Sequence, residues 1–329
     1  MQVPDFSFHA FFSGEWSEDI ETYITDQFFM RDTFVTLKSS TEQLLGKVEN
    51  NDVYLSTEDT LIEKFIITDY NQIDKNLSAI QNFTDTISNT SIPVYFAFIP
   101  TASEIYADQL PANAPVSSQL EILQYVENTI DNTISPYETL IAHNDEYIYY
   151  GTDHHWTSLG SYYASGDILS SMGKSQYSLD YYTPTIQSQD FYGTLYAKSG
   201  IRGIEADTIT TYTENVDIEI VDGTEVFTGN LYEIENLSLS DKYTVFLGGN
   251  YPHIKICGNG EGTLLLIKDS FANSLVPFLI DHYETIHMVD LRFNRNSMSE
   301  FIIDNAVTQV LFCYSIPNFS SDTNLIWLQ

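Results

Sequence analysis

The sequence predicts a three-layer α/β domain, with a mainly parallel sheet covered by helices on both faces. Two observations lead there. After residue 243, short apolar runs alternate with helix-length segments, the pattern of strands joined by helical crossovers. The runs Val94–Ile99 and Leu264–Ile267 are apolar at every position rather than at every second one, as in strands buried on both faces. With 329 residues, 43% hydrophobic and 14% aromatic, the chain can fill a large core, and disorder is excluded for most of it. Residues 1–329 read as a single domain, with an N-terminal helical extension over 1–50 and an irregular or β-rich insertion over 175–240.

Residues 17–45 read as helix, from Ile20, Tyr23, Ile24, Phe28 and Val35, with Gly46 as a stop. Val53–Leu55 reads as a short strand. Over 70–88, Ile73, Leu77, Ile80, Phe83 and Ile87 form one helical stripe. Val94–Ile99 follows as a buried strand, ended by Pro100. Residues 118–131 are a further helix, Tyr147–Tyr150 a strand, and 157–172 a helix. Val216–Val221 alternates as an exposed strand does. Strands are then expected at 244–247, 263–267, 285–289 and 309–314, and helices at 271–281 and 297–305. Pro277 interrupts the first of these helices.

Lys and Arg total 13 and Asp and Glu 46, a net charge of −33. A field of that sign repels nucleic acid and anionic lipid surfaces, so nucleic-acid binding is excluded. Seven of the 13 basic residues, among them Lys268, Arg292 and Arg295, lie between 198 and 295. No apolar run approaches the ~20 residues of a membrane-spanning helix. The start carries neither a basic nor an apolar export region. Cys257 and Cys313 lie beside apolar segments and read as free buried thiols.

Three segments can carry chemistry, and each falls in a loop after an expected strand. Lys268-Asp269-Ser270-Phe271 follows Thr263–Ile267 and opens the next helix. A serine there sits at the carboxyl end of a strand, where open α/β sheets bind ligands, and it can attack a carbonyl. Asp269 or Ser270 can equally be a plain N-cap. Asp153-His154-His155-Trp156 puts a carboxylate, two imidazoles and an indole in one loop. In extended chain, residues i and i+2 share a side, so Asp153 can orient His155 as a general base while His154 faces away. A metal site built on Asp153, His154 and His155 is an alternative, as is a purely structural cluster. Leu247-Gly248-Gly249-Asn250 is the third segment; Gly249 and Asn250 can form an oxyanion hole or simply a turn.

Gly151-Thr-Asp-His-His-Trp-Thr157 resembles the signature of the bacterial DHHW proteins. Val94–Ser103, Asp190–Thr194, Phe246–Asn250, Lys268–Leu279, Asp290–Arg292 and the stretch around Gly46–Leu61 fit the same pattern, so the resemblance covers most of the chain. That family is similar in turn to the SGNH-hydrolase-like proteins of alginate and other exopolysaccharide O-acetylation. Those also place an Asp-x-His-Trp-like loop before the serine. The resemblance implies a flavodoxin-like SGNH fold, with Ser270 as nucleophile, His155 as base and Asp153 as orienting acid. It implies transfer or hydrolysis of an ester-linked acetyl group on a surface carbohydrate, with no metal or organic cofactor and with a membrane-associated acyl-donor partner. It further implies an exported or membrane-anchored protein whose export segment lies outside this chain. A non-catalytic glycan-binding or assembly module is the alternative. Trp156 can stack on a sugar or pack in the core. Arg292 can clamp one anionic group or pair with an Asp.

Overall fold

The computed structural model describes Thr41 and residues 46–328. The helix expected over 17–45 therefore lies almost wholly outside the described residues. In chain order the strands are β1 (Glu49–Asn50), β2 (Val53–Leu55), β3 (Leu61–Glu63), β4 (Val94–Ile99), β5 (Thr133–Ile134), β6 (Thr185–Phe191), β7 (Asp207–Thr211), β8 (Asp217–Asp222), β9 (Glu225–Asn230), β10 (His253–Cys257), β11 (Thr263–Lys268), β12 (Thr285–Val289) and β13 (Gln309–Ser315). The helices are α1 (Asn71–Ile87), α2 (Ala102–Ile105), α3 (Gln119–Glu127), α4 (Tyr137–Ala142), α5 (Ser158–Ser171), α6 (Thr194–Ser199), α7 (Ala272–Leu275), α8 (Met298–Asp304) and α9 (Ile316–Ser321), with short 3₁₀ turns between.

The main sheet is mixed and eight-stranded, in the order β5-β4-β13-β11-β12-β10-β8-β9. β5 to β12 run parallel, whereas β10, β8 and β9 are antiparallel to their neighbours. Alternate residues of the parallel strands feed separate cores, as the two-residue period requires. Leu264, Leu266, Leu311, Cys313, Ala97 and Ile99 pack with α5 and α7 on one face. Leu265, Ile267, Phe312, Phe96 and Phe98 pack with α1, α3 and α8 on the other. Both faces are covered, which is why these strands read as continuous apolar runs. β1–β3 and β6–β7 form two small separate sheets.

Four local expectations are corrected. Residues 244–247 are not a strand: Lys242–Val245 is a 3₁₀ turn, and Leu247 has a φ of 63°. Val245, Phe246 and Leu247 are apolar because they plug the core, not because they pair in the sheet. The strand lies instead at β10, whose outward Lys255 breaks the apolar run. Tyr147–Tyr150 forms only a bridge, Tyr149 to Trp156, because the chain folds straight back on itself. The 271–281 segment is one α-turn and two 3₁₀ turns; Pro277 has no N–H to continue the ladder. Cys257 is exposed and only Cys313 is buried, both free. The exposed strand expected at 216–221 is β8, and it joins the main sheet through β10. Among the described residues no helix is long and apolar enough to cross a membrane.

Candidate active site

Strand β11 ends at Lys268, and Ser270 sits two residues beyond, half-buried, in the turn leading to α7. Asp269 fixes that turn. Its Oδ1 accepts the Phe271 amide at 2.9 Å, and its Oδ2 accepts the Ser315 amide and hydroxyl and the Asn318 side chain at 2.8–2.9 Å. The Ser270 amide donates to no protein acceptor among the described residues. With α7 only four residues long, a helix dipole contributes little here.

The loop carrying Asp153 is a folded-back bend. Tyr150 N donates to His155 O at 3.2 Å and Thr157 N to Ile148 O at 2.9 Å. The bend is held from below by Asp207 at the start of β7, whose carboxylate accepts the Gly151 and Thr152 amides at 2.7 Å each, together with the Thr152 hydroxyl. Asp153, buried at the tip, accepts His155 Nδ1 at 2.6 Å and the His155 amide at 3.0 Å on Oδ1. On Oδ2 it accepts the Thr194 amide at 2.8 Å and hydroxyl at 2.9 Å. Thr194 comes this close because residue 193 is glycine; a Cβ there would collide with the Asp153 carboxylate.

His155 Nε2 faces Ser270 Oγ at 2.8 Å. Because Nδ1 donates to Asp153, Nε2 carries the lone pair, and the serine hydroxyl donates to it. Tyr243 backs the imidazole, with ring centroids 3.7 Å apart and planes 3° from parallel; its hydroxyl donates to Ser270 O at 3.1 Å. Burial, and next the neighbouring His154, push the His155 pKa down to about 4. Burial alone would raise the Asp153 carboxyl. The charges of His154 and His155 and the hydrogen bonds from His155 and Thr194 outweigh it and hold the group well below the usual carboxylate range.

The structure thus brings Asp153, His155 and Ser270 into one line. His154 does not face the opposite side, as extended backbone would require. The loop is bent, so the two imidazoles lie side by side with centroids 3.9 Å apart. Trp156 is fully buried and donates its indole N–H to Phe271 O at 3.0 Å and Ser274 Oγ at 2.9 Å, so it is a core residue with no face for a sugar. Gly249 and Arg292 are spent elsewhere, and Asn250 is tied down through its side-chain oxygen. The Gly249 amide closes a turn on Phe246 O. Asn250 Oδ1 accepts Lys268 Nζ at 2.7 Å. Arg292 grips Asp290 with two bonds, 2.9 and 2.6 Å. None of these bonds reaches Ser270 or His155. Asp153, His154 and His155 do place ligand atoms within 4.8 Å of one another. Yet the two Asp153 oxygens already accept four hydrogen bonds, all that their lone pairs can take, and both His155 nitrogens are occupied.

Thr194, Tyr243, Asp207 and the Ser270 amide carry no local signal of their roles. The one pointer to them is Gly193-Thr194, which lies inside the family-like stretch Asp190–Thr194.

The model of the DHHW protein family matches residues 53–289. The chain belongs to the DHHW family. Over 85% of this DHHW protein and 96% of the other, it is similar to a DHHW family protein from Eubacterium siraeum, with 25% identity and a TM-score of 0.73. It is similar to PatB1 from Bacillus cereus, solved with a sulfonyl adduct, at 24% identity and a TM-score of 0.71, covering 84% and 98% of the two chains. It also resembles the O-acetyltransferase domain of AlgJ from Pseudomonas putida, at 13% identity and a TM-score of 0.52 over 82% and 92%. The last two likenesses show the fold. No curated protein matches this DHHW protein.

Proposed function

We propose that this DHHW protein transfers or hydrolyses an ester-linked acetyl group on a cell-surface carbohydrate, through Ser270, His155 and Asp153. The observation that carries the reading is the unbroken line from Asp153 to His155 Nδ1 at 2.6 Å and from His155 Nε2 to Ser270 Oγ at 2.8 Å. Ser270 attacks the acetyl carbonyl. His155, neutral at working pH because its pKa lies near 4, takes the serine proton and returns one to the leaving oxygen. Asp153 fixes the tautomer and steadies the imidazolium. The unspent Ser270 amide is the donor best placed for the developing oxyanion, in place of the Gly249 amide, which is spent on Phe246 O.

Two further features support acyl chemistry. One structural relative is named as an O-acetyltransferase domain, and another was captured with a sulfonyl adduct. We read the domain as a three-layer flavodoxin-like SGNH fold, working outside the cytoplasm and loaded by a membrane-associated acyl donor. The test is labelling with a fluorophosphonate or sulfonyl fluoride. Wild-type protein is expected to be modified on Ser270, and a folded Ser270→Ala variant is expected to stay unmodified. Equal labelling of the two proteins overturns the assignment.

A further inference from the structure

Beside the triad lies a cavity of about 270 Å³. It stands over the carboxyl ends of three adjacent strands. Thr101 and Ser103 follow β4, Phe271 follows β11, and Ser315 ends β13. That edge is where α/β sheets hold their ligands. The cavity's fourth side is His154, the imidazole the triad does not use.

The hydrogen bonds around His154 fix its tautomer. Thr194 has one hydroxyl proton and two close partners, Asp153 Oδ2 at 2.9 Å and His154 Nδ1 at 2.7 Å. The carboxylate can only accept. Were the threonine proton spent on His154, two oxygens with lone pairs would face each other. The proton therefore goes to Asp153, and His154 Nδ1–H donates to Thr194. His154 Nε2 is left with a lone pair beside the cavity. Asp153 thus orients both imidazoles, His155 directly from Oδ1 and His154 through Thr194 from Oδ2.

Across the cavity, the fully buried Gln119 donates from its amide nitrogen to Thr101 Oγ1 at 2.7 Å and Ser103 Oγ at 2.9 Å. Each hydroxyl keeps its own proton. One can be spent on the other, at 3.2 Å; the second has no acceptor among the described residues. At the rim Lys198 and Glu63 pair with each other at 2.8 Å. The cavity therefore offers an acceptor and a donor, with no unpaired cation.

We propose that this cavity is the acceptor subsite, that it takes a neutral polyhydroxylated ring, and that His154 is its specificity-determining residue. The inference rests on Ser270 being the nucleophile. An acetyl ester or thioester first loads Ser270. His154 Nε2 then accepts a hydrogen bond from one ring hydroxyl and so presents the neighbouring hydroxyl to the acyl carbon. A bond forms from that oxygen to the carbon, and the hydroxyl proton passes to His155 Nε2. The bond from the carbon to Ser270 Oγ breaks, and the same proton returns to Oγ. His154 takes no proton. An anionic ring is disfavoured by the Asp153 carboxylate, 3.7 Å from His154 Nδ1, and by a chain charge of −33.

Two arms test this. In the Ser270→Ala protein, calorimetric titration with chitotetraose and with tetragalacturonate reads the cavity without chemistry. The neutral sugar is expected to bind more tightly. Adding His154→Ala is expected to weaken it about tenfold, the loss of one hydrogen bond, with Thr101→Val weakening it less. Equal binding with and without His154, or tighter binding of the polyuronate, overturns the proposal. In the second arm, wild-type protein receives 4-nitrophenyl acetate with chitotetraose as acceptor. His154→Ala is expected to raise the acceptor KM by a larger factor than it slows acceptor-independent nitrophenolate release, and His154→Gln is expected to recover part of the KM. An unchanged acceptor KM with slowed release makes His154 a prop for the triad and overturns the subsite. If the sugar binds but Ser270 forms no acyl-enzyme, the chemistry falls, the acceptor role falls with it, and the cavity is a sugar site only. If the acyl-enzyme forms but no sugar binds, the subsite falls and the chemistry stands.

Discussion

Two buried polar clusters stand at the carboxyl ends of the parallel strands, and they end differently. Around Lys268 every strong group is spent on another. Its ammonium donates to Asn250 and Asn273 at 2.7 and 2.8 Å and lies 3.7 Å from Asp290, which Arg292 holds in turn. Around Asp153 the chain of bonds stays open, because it runs through His155 to a half-buried hydroxyl. A buried network closed on itself holds loops in place. One that terminates on an accessible nucleophile can do chemistry. Charge alone does not tell them apart, since the closed cluster has the more ions.

The largest expected effect is on the open network. His155→Ala should lower hydrolysis of a small aryl acetate by about 10²–10⁴-fold, the usual loss for a general base. Lys268→Met, in the closed network, should leave the turnover of folded protein within a few-fold of wild type. Comparable losses in turnover from the two variants would erase the distinction.

Stability should reverse that order. Lys268 is fully buried, and burial pushes its pKa down to about 8 against the pull of Asp290. Its loss leaves Asn273 Oδ1 buried without that donor, while Asn250 is exposed and Asp290 keeps Arg292, so the cost is about 1–3 kcal/mol. Urea unfolding of Lys268→Met should show a clear drop in midpoint at unchanged slope. A midpoint equal to wild type would mean that Asp290 and Arg292 suffice without it.

The fold was legible where local pattern and burial agree. Strands β4, β11 and β13 read correctly because both faces are covered. Residues 244–247 misled because a core plug and a strand are equally apolar. β10 was hidden by Lys255 and by its brevity between Pro252 and Gly258. At the site, the Asp153-His155 spacing and the serine after β11 are local features, so the three residues that meet could be named in advance. Thr194 lies 41 residues from Asp153 and Tyr243 lies 27 from Ser270. Their parts depend on the fold, which no spacing announces. The helix expected over 271–281 breaks into short turns at Pro277.

A pH titration separates catalytic from structural histidines. The folded pKa of His155 is about 4, against an ordinary 6.5, chiefly through burial. Hydrolysis should rise as pH passes about 4 and then level. His253 and His287, 2.9 Å apart, are pushed to about 4 as well, first by burial and then by nearby positive charge, Lys255 among its sources. With folded values depressed, the unfolded chain binds more protons between about 4 and 6.5, so stability rises with pH across that window and is lost as pH falls through it. In His155→Ala the activity limb should vanish while most of the stability limb persists. Disappearance of both limbs together would assign the whole acid transition to His155.

The smallest effect is expected at Arg292, and its size decides what the residue is for. Its fork meets Asp290 through Nε at 2.9 Å and a terminal nitrogen at 2.6 Å, yet the side chain is 37% exposed. Solvent screening keeps such a pair near ~1 kcal/mol or below. Asp290 also retains the Arg292 amide at 3.0 Å and Lys268 behind it, so its charge is not stranded. Arg292→Gln should therefore lower the urea midpoint slightly, and binding of tetragalacturonate should stay weak at every salt concentration. A free anion clamp behaves otherwise, binding the uronate at low salt and losing it on Arg292→Gln. That outcome would mean the guanidinium leaves Asp290 for a ligand, and the closed cluster would then open at its edge.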